Sequence, residues 1–275
     1  KRIVALIPVI IGVTLIVYFI MSLAPGDPAG TILGDQATPE AIEQLREEMG
    51  LNDPIIVQYV RYMFNLCRGD MGTSYKTKKA VSVEIFSRFP ATAKLSIVAV
   101  IFSTIMAIPL GIVAAIKQNS FFDGFSMIVA LLGISMPIFW FGVLLQLLFS
   151  LKLGWLPSTG NDYWYSIVLP ATALGFHNVA SVARITRSSM LEVIRQDYIR
   201  TARAKGVSYG TVIKKHALRN ALIPVITVLG IQIGSLLAGS TLSETVFAWP
   251  GMGRFMIASI SGRDIPSVLG CIILF

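Results

Sequence analysis

The chain has 275 residues, of which 54% are hydrophobic and only 14% are charged, and its mean hydropathy is +0.71. A soluble domain carries roughly 25% charged residues, so this composition excludes an ordinary water-soluble protein and predicts that lipid is the solvent. The net charge of +8 is concentrated between apolar blocks, where we expect it to contact anionic lipid, and we predict no nucleic-acid partner.

Five apolar blocks are long enough to cross a bilayer, since a spanning helix needs about 20 mostly apolar residues. A sixth block begins at Ser267 and is still apolar at Phe275, so we expect the natural chain to continue. The sequence therefore predicts an all-α, polytopic membrane helical bundle with about six transmembrane helices. The five full blocks are Ile3–Leu23, Leu95–Ile116, Phe125–Leu151, Tyr165–Ala183 and Ala221–Ser243.

A polar insertion follows the first block, and the whole chain 1–275 is predicted to be one transmembrane domain: a first helix at 1–23, the insertion at 24–94 and a core at 95–275. Within the insertion, Thr38 is a typical N-cap and Gly50 a typical stop, which predicts a helix over Pro39–Met49. Apolar residues at helical spacing predict a second helix over Pro54–Leu66.

The distribution of charge predicts the orientation. Residues 184–219 contain nine Lys or Arg and two acidic residues, and positive charge in short loops marks the cytoplasmic side. Counting spans from there places the N-terminus and the Lys117–Gly124 loop in the cytoplasm. The 24–94 insertion is then extracellular.

The basic loop 184–219 is predicted to form a helical elbow. No helix breaker interrupts Met190–Lys205, Gly206 can end a helix, and Ser208–Thr211 has the composition of a capped turn before a helix that resumes at Thr211. Small residues at the bend would let another protein approach closely, and flanking charges would direct the contact. We interpret the elbow as a lever docked on a soluble partner; a basic loop packed on lipid headgroups is the alternative.

The sequence offers little catalytic chemistry. The five blocks contain no Asp or Glu, the chain has two histidines, and no phosphate-binding GxxxxGK[ST] run is present. We predict no catalytic residue, no metal site and no disulfide between Cys67 and Cys271. Polar residues inside the blocks are candidates for a substrate path, although helix packing explains each one alone: Ser135, Gln146, His177, Asn178, Gln232 and Ser235.

The elbow carries the first resemblance to a known family. The runs DYIRTARAKG and HALRNALIP resemble the cytoplasmic EAA loop of the membrane subunits of ABC importers, in the variant of the dipeptide, oligopeptide and nickel permeases. Aligned on Gly206, Ala202 and Leu218 match the general EAA pattern, whereas Arg200, Thr201, His216 and Arg219 depart from it.

Further matches are spread along the chain in the order that this family shows. They are Pro25–Pro28, Gly69–Ser74, Ser135–Trp140, Thr186–Glu192 and Glu244–Arg254. The resemblance implies the type I ABC importer permease fold with an extracellular insertion after the first helix. It also implies a bacterial or archaeal cytoplasmic (inner) membrane location.

The resemblance further implies partners: a second permease subunit, identical or different, two ATP-binding subunits that hold ATP and Mg²⁺, an extracellular or periplasmic solute-binding protein, and membrane lipid. This chain itself would bind no cofactor. The implied ATPase-coupling residues are Asp197, Tyr198, Arg200, Thr201, Ala202, Arg203, Ala204, Lys205 and Gly206. Candidates for an extracellular gate or binding-protein contact, or for simple turns, are Pro25, Gly26, Asp27, Pro28, Glu244, Trp249, Pro250 and Gly251.

Short peptides are the expected cargo. A nickel or metal-chelate permease is the alternative within the family. A secondary transporter or channel that works without ATP is the alternative from another class.

Overall fold

The structure is a computed structural model that describes residues 2–23, 26–34 and 37–275. The α-helices in these ranges are numbered in chain order. They are α1 (Arg2–Leu23), α2 (Pro28–Leu33), α3 (Pro39–Glu48), α4 (Ile55–Cys67), α5 (Val81–Ile116), α6 (Phe121–Ser135), α7 (Ile138–Leu145), α8 (Val168–Ile194), α9 (Asp197–Ala204), α10 (Tyr209–Thr211), α11 (Leu218–Gly239), α12 (Thr241–Val246), α13 (Met252–Ser261) and α14 (Ile265–Leu274).

The chain divides into two compact units. Unit 1 comprises Lys1–Ala91 and Pro250–Phe275, and unit 2 comprises Thr92–Trp249. The regular secondary structure of the described ranges is helical, with one isolated β-bridge between Thr73 and Ala80. The prediction of an all-α membrane fold is therefore confirmed.

Four helical stretches in the described residues are long and apolar enough to cross a membrane, and a bent pair raises the number to five. They overlap the five full blocks predicted from the sequence. The predicted sixth block corresponds to α14, an apolar helix of 10 residues. The four unbroken stretches are Ala5–Leu23, Val81–Ile116, Trp164–Ile194 and Tyr209–Ala238.

The third predicted block is broken rather than continuous. It consists of α6 and α7 joined at Met136 and Pro137, with a bend of 101° between Phe121–Gly133 and Ile138–Lys152. Met136 has extended backbone angles (φ −85°, ψ 127°), as a residue before proline prefers. Pro137 has no N–H for a helical hydrogen bond, so the helix restarts after it.

The second block begins earlier than its composition predicts. We expected the span to start at Leu95, whereas α5 starts at Val81 and continues without a break for 36 residues. At 1.5 Å per residue it is about 54 Å long, which exceeds the hydrocarbon thickness of about 30 Å. The part of the insertion after Val81 is therefore an extension of a spanning helix.

The first helix of the insertion follows its capping residues closely. Thr38 accepts a hydrogen bond from the Ala41 backbone N–H at 3.3 Å, Pro39 is the first helical residue, and α3 ends at Glu48. Gly50 has a φ of +65°, a left-handed conformation that glycine adopts at little cost. The second predicted helix is α4, so both predictions are confirmed.

The elbow is broken once more than predicted. The sequence predicts one helix over Met190–Lys205, but α8 ends at Ile194 and α9 begins at Asp197, because Gln196 is extended (φ −70°, ψ 151°). The predicted stop at Gly206 and the turn near Ser208 are present. Beyond α10, residues Val212–Ala217 form a π-helical segment that continues into α11.

Unit 1 is held by packing of α1, α4 and α14. Tyr18, Tyr59, Ile265 and Leu269 form its buried cluster, and the Tyr59 hydroxyl donates to the Ile11 carbonyl oxygen at 3.0 Å. Of the two cysteines of this unit, Cys67 is exposed and Cys271 is buried.

The loop before α5 is tied to the start of α14 through a buried carboxyl group. Asp264 is 1% exposed. It accepts hydrogen bonds from the Ser74 hydroxyl at 2.5 Å, the Ser267 hydroxyl at 2.8 Å and the Tyr75 backbone N–H at 3.1 Å. These bonds give the loop a fixed position within unit 1.

In unit 2, glycines let α5 and α8 approach closely. A β-carbon placed on Gly175 would lie 2.6 Å from the carbonyl oxygen of Ala99, and one placed on Gly111 would lie 2.6 Å from that of Ala183. The residue numbers increase together on both helices, from the Ala99–Gly175 contact to the Gly111–Ala183 contact. The two helices α5 and α8 are therefore parallel. By contrast, a β-carbon on Gly230 would meet nothing within 4 Å in the described chain.

We expect Gly175→Ala to lower the free energy of unfolding by about 1–3 kcal/mol, because backbone must separate to admit the methyl group. Gly230→Ala is the matched control in α11, and it should be neutral or stabilising by up to about 1 kcal/mol because alanine has the higher helix propensity. Thermal unfolding of the purified variants in one detergent compares the two. Equal melting temperatures would contradict the close approach.

Candidate coupling site

The short helix α9 is anchored by one buried side chain. Ile199 is 1% exposed and Ala202, one turn later, is partly buried against the same apolar cluster. The cluster contains Ala115 of α5, Met190 of α8 and, from the π segment and α11, Val212, Ile213, Ala217 and Ala221. A displacement of α9 would therefore press on three long helices. The sequence prediction relied on the small and charged residues of the elbow and missed Ile199. An isoleucine between the polar residues Tyr198 and Arg200 could have indicated a buried position.

The end of α9 has a defined capping geometry. The Gly206 N–H donates to the Arg203 carbonyl oxygen at 2.9 Å, and the Val207 N–H donates to that of Ala202 at 3.2 Å, which is the pattern of a Schellman motif. Gly206 has a φ of +78°, and a β-carbon on it would meet no described atom within 4 Å. Glycine is thus favoured here by backbone conformation, and the chain leaves open space around it.

The outer face of α9 is exposed and carries the other residues predicted to couple to an ATPase. Arg200, Thr201, Arg203, Ala204 and Lys205 all lie on it. The Arg200–Asp197 ion pair is long, at 3.9 Å, and both side chains are more than three-quarters exposed, so it contributes little stability. This face is exposed and can meet another surface.

Two side-chain contacts brace α9 against the two helices that follow it, α10 and α11. Asn220 of α11 donates from Nδ2 to the Tyr198 hydroxyl oxygen at 3.0 Å. The Arg203 guanidinium carbon lies 5.3 Å from the centre of the Tyr209 ring, within cation–π range. α9 is thus connected to α10 and α11 by polar as well as apolar contacts.

An ion pair that the sequence did not predict joins the start of α6 to α8. Arg187 donates from Nε and Nη2 to the two carboxylate oxygens of Asp123, both at 2.7 Å, and the Asp123 side chain is 8% exposed. Asp123 also accepts from the Asn119 N–H at 3.0 Å, which fixes the turn before α6. The pair connects the Lys117–Gly124 region to α8, two turns before α8 ends.

Two of the candidate path residues have buried polar atoms without a hydrogen-bond partner in the described part of the chain. They are Nδ1 of His177 on α8 and Oε1 of Gln232 on α11. Buried polar atoms nearly always form a hydrogen bond with protein or water. The lack of a partner among the described residues therefore favours contact of these two atoms with water or with a ligand.

The other four candidates are placed differently. Gln146 donates from Nε2 to the carbonyl oxygens of Ser158 and Val246, at 2.8 and 3.2 Å, and so supports a loop. Asn178 and Ser135 bond to carbonyls in their own helices. Ser135 and Ser235 are exposed. The path through these residues stays a prediction.

The predicted outer segment of unit 1 lies partly outside the described residues, since Pro25 is not described. Asp27 caps α2 by accepting from the Ala29 N–H at 3.2 Å, and Pro28 is the first helical residue. Gly26 has a φ of +122°, and its carbonyl oxygen accepts from Arg263 at 3.4 Å. The segment forms a capped turn, and a role in gating or in binding-protein contact stays a prediction.

The remaining four residues of the predicted outer site are largely buried. Trp249 is 3% exposed, Gly251 is buried and Pro250 is partly buried. Glu244 is 0% exposed and accepts hydrogen bonds from the hydroxyls of Thr92, at 2.7 Å, and Ser240, at 2.9 Å. Glu244 and Trp249 are thus buried in this structure, and a role of these four residues in gating or in binding-protein contact stays a prediction.

We expect Thr92→Val to lower the free energy of unfolding by about 2 kcal/mol, because it removes a donor from a buried carboxyl group at nearly constant volume. Thr104→Val, also on α5, is the matched control. Among the described residues, its hydroxyl bonds only to the Val100 carbonyl oxygen of its own helix, so the change should stay within about 0.5 kcal/mol. Parallel chemical unfolding checks the difference, and equal stabilities would show that the Glu244 contact is unimportant.

The family follows from comparison with known proteins. Residues 107–275 match the family model of the binding-protein-dependent transport system inner membrane component, and residues 1–96 match the model of its N-terminal region. The chain belongs to this family. It is accordingly an ABC importer permease and a multi-pass protein of the inner membrane.

Relatives cover the permease almost from end to end. It is 49% identical to the dipeptide transport system permease protein DppB of Alkalihalophilus pseudofirmus, over 98% of this chain and 89% of the relative. It is 44% identical to the glutathione transport system permease protein GsiC of Salmonella paratyphi A, over 100% and 90%. It is 43% identical to the di/tripeptide transport system permease protein DppB of Pseudomonas aeruginosa, also over 100% and 90%.

Two solved structures share the permease fold. One is the MetNI methionine ABC transporter in an inward-facing conformation, with a TM-score of 0.55 and 18% identity over 69% of this chain and 88% of that one. The other is an amino acid ABC transporter with histidines, with a TM-score of 0.51 and 18% identity over 70% and 86%.

Proposed function

We propose that this permease is one of two pore-forming subunits of an importer that moves short peptides across the inner membrane at the expense of ATP hydrolysis in partner subunits. The observation that carries the proposal is α9, an exposed small-residue helix end anchored by Ile199 in a cluster shared with α5, α8 and α11. Such a helix can receive a push at its free face and pass it to the spans.

The cargo is inferred from the relatives. The three compared above are named for dipeptides, di- and tripeptides and glutathione, all of them short peptides. The described residues contain no group of three or more His, Cys, Asp and Glu side chains that could hold a metal ion. Peptide is therefore favoured over nickel, and no observation favours a secondary transporter or a channel.

The partners and topology complete the proposal. Two ATP-binding subunits holding ATP and Mg²⁺ would dock on the α9 faces of this chain and of a second permease, and a solute-binding protein would deliver cargo from outside. The N-terminus and α9 would then be cytoplasmic and the insertion external. Differential binding of the two access states by nucleotide and cargo would couple hydrolysis to movement.

Reconstitution of the complete transporter tests this function. Proteoliposomes containing both permeases, the ATPases and the binding protein should accumulate a radiolabelled dipeptide when ATP is supplied to the ATPase side. Omission of the ATPases should abolish accumulation. Uphill uptake without the ATPases, or uptake of a Ni²⁺ chelate with no uptake of peptide, would contradict the proposal.

The two natural cysteines test the topology without any mutation. Cys67 lies at the end of α4 and is exposed, whereas Cys271 is buried. A membrane-impermeant maleimide added to intact spheroplasts should label Cys67 and leave Cys271 unmodified. Labelling of Cys67 only after the membrane is opened would place the insertion in the cytoplasm and overturn the orientation.

A further inference from the structure

Unit 1 contains a cavity of ≈ 470 Å³ that the proposed transport mechanism does not use. Its walls come from the end of α3, from α4, from the loop before α5 and from the start of α14. α4 contributes Gln58, Arg61, Tyr62 and Asn65, whose spacing of three and four residues puts them on one side of the helix. This side of α4 is polar and faces an open space of the size usual for small-molecule sites.

Several polar groups of the cavity have no partner among the residues that the structure describes. The Tyr62 hydroxyl is buried and forms no hydrogen bond within the described ranges, a costly arrangement unless a ligand or water supplies the partner. Burial raises the pKa of Tyr62, so the phenol remains a donor at neutral pH. The side chains of Glu48 and Lys78, also in the lining, form neither hydrogen bonds nor ion pairs with described residues.

The charges of the lining restrict the ligand. Glu48 and Asp70 supply negative charge, and Arg61 and Lys78 supply positive charge. Arg61 is already paired with Asp53 at 2.5 Å, which leaves Lys78 as the cation without a partner. A phosphate or other polyanion would be repelled by the two carboxylates. An acyl chain would desolvate four charged groups at a high cost in free energy. A small zwitterion with amide groups satisfies both signs and the unpartnered phenol.

We propose that this cavity binds a short zwitterionic peptide, with its ammonium group at Glu48 and its carboxylate at Lys78. The inference rests on the proposed function for its choice of zwitterion. It adds a cargo-binding site in unit 1, whereas the predicted path residues all lie in unit 2. A peptide held there would raise the local concentration of cargo on the external face of the permease.

Binding of trialanine to the complete transporter in lipid nanodiscs, without nucleotide or binding protein, tests the site by calorimetry. Tyr62→Phe should weaken binding about fivefold and leave the melting temperature equal or higher, because it removes an unpartnered hydroxyl. If Tyr62 had only a structural role, weaker binding in Tyr62→Phe would be accompanied by a lower melting temperature. N-acetyl-trialanine amide, which carries no charge, should bind far more weakly than trialanine.

A matched pair of variants isolates the charge. Glu48 and Glu47 are adjacent and both exposed, but only Glu48 lines the cavity. Glu48→Gln should weaken trialanine binding about fivefold, while Glu47→Gln should leave it unchanged. Lys78 has a φ of +58°, so Lys78→Asn removes the cation with a residue that tolerates this conformation and should also weaken binding.

Three outcomes would overturn the site: no saturable binding of trialanine, equal binding of the capped peptide, or wild-type affinity in both Tyr62→Phe and Glu48→Gln. Variants that weaken docking of the solute-binding protein but leave trialanine binding intact would assign the cavity to a protein interface instead. ATP-driven peptide uptake is measured in the same preparation. Its failure with trialanine binding retained would overturn the proposed function and leave the site standing.

Discussion

Replacement of Ala204 by tryptophan should abolish peptide uptake and the ATP hydrolysis coupled to it, while the permease still folds. Ala204 lies on the exposed outer face of α9, so an indole there meets solvent in the isolated chain and collides with a docked ATPase. A loss of only 1.4 kcal/mol in docking free energy raises the dissociation constant of the ATPase tenfold, and we expect uptake to fall by at least that factor. Uptake into proteoliposomes and peptide-stimulated ATPase activity measure it.

The choice of position matters for the interpretation of this result. Ala202 is two residues away but packs against the cluster around Ile199, so Ala202→Trp would disturb folding as well as docking. Ala41→Trp is the matched control, because Ala41 is also an exposed helical alanine and lies on α3 in unit 1. Full activity of Ala204→Trp, or equal loss in Ala41→Trp, would remove α9 from the coupling mechanism.

Removal of the Asp123 carboxylate should destabilise the permease strongly. Asp123→Ala leaves the Arg187 guanidinium, which is 25% exposed, without its bidentate partner, and it frees the turn at Asn119. Loss of one member of a buried pair costs about 3–5 kcal/mol, and we expect about 3 kcal/mol because Arg187 retains some solvent. Unfolding in mixed detergent micelles, followed by tryptophan fluorescence, measures the change.

The double variant Asp123→Ala/Arg187→Leu separates two causes of the lost stability. One is the loss of the favourable ion pair, and the other is the cost of leaving the Arg187 charge without its partner. Substitution of both partners by apolar residues is often nearly neutral, so the double variant should recover most of the lost stability. Arg184→Leu is a control on the same helix and has no ion-pair partner among the residues described. A double variant no more stable than Asp123→Ala would indicate that the aspartate acts through the turn alone.

The parts of the fold that were predictable from the sequence are those determined by local chemistry. α3 begins after Thr38 and ends before Gly50 as predicted, because an N-cap hydroxyl, a first-turn proline and a left-handed glycine act within a few residues of one another. The five full spans were predictable for a similar reason, since bilayer insertion depends on the summed hydropathy of one segment.

Two helix breaks show where local rules fail. Pro137 was visible, but proline can either kink a spanning helix or divide it, and the outcome depends on the neighbouring helices. At Gln196 there is no glycine or proline to mark a break. The chain turns there, and α9 then places Ile199 in a pocket made by residues from α5, α8 and α11. This is a tertiary effect on a sequence whose helix propensity is continuous.

The candidate site was predictable only in part. Its location in the elbow followed from charge and from resemblance, whereas the contacts that position it did not. Asp123 and Arg187 are 64 residues apart in sequence, and one chain gives no sign that they pair. The burial of Glu244 was equally hidden, because a carboxyl group just after an apolar block is expected at the surface.

The π-helical segment Val212–Ala217 has a consequence for how α11 is oriented. A π turn contains about one residue more than an α turn, and each residue of an α-helix rotates the chain by about 100°. The wide turn therefore rotates all later side chains of α11 about the helix axis. Gln232 and its neighbours point about 100° away from the direction they would have in an uninterrupted α-helix. One additional residue between α9 and α11 thus determines which side chains of α11 face the neighbouring helices, even those far along the helix from Gly206.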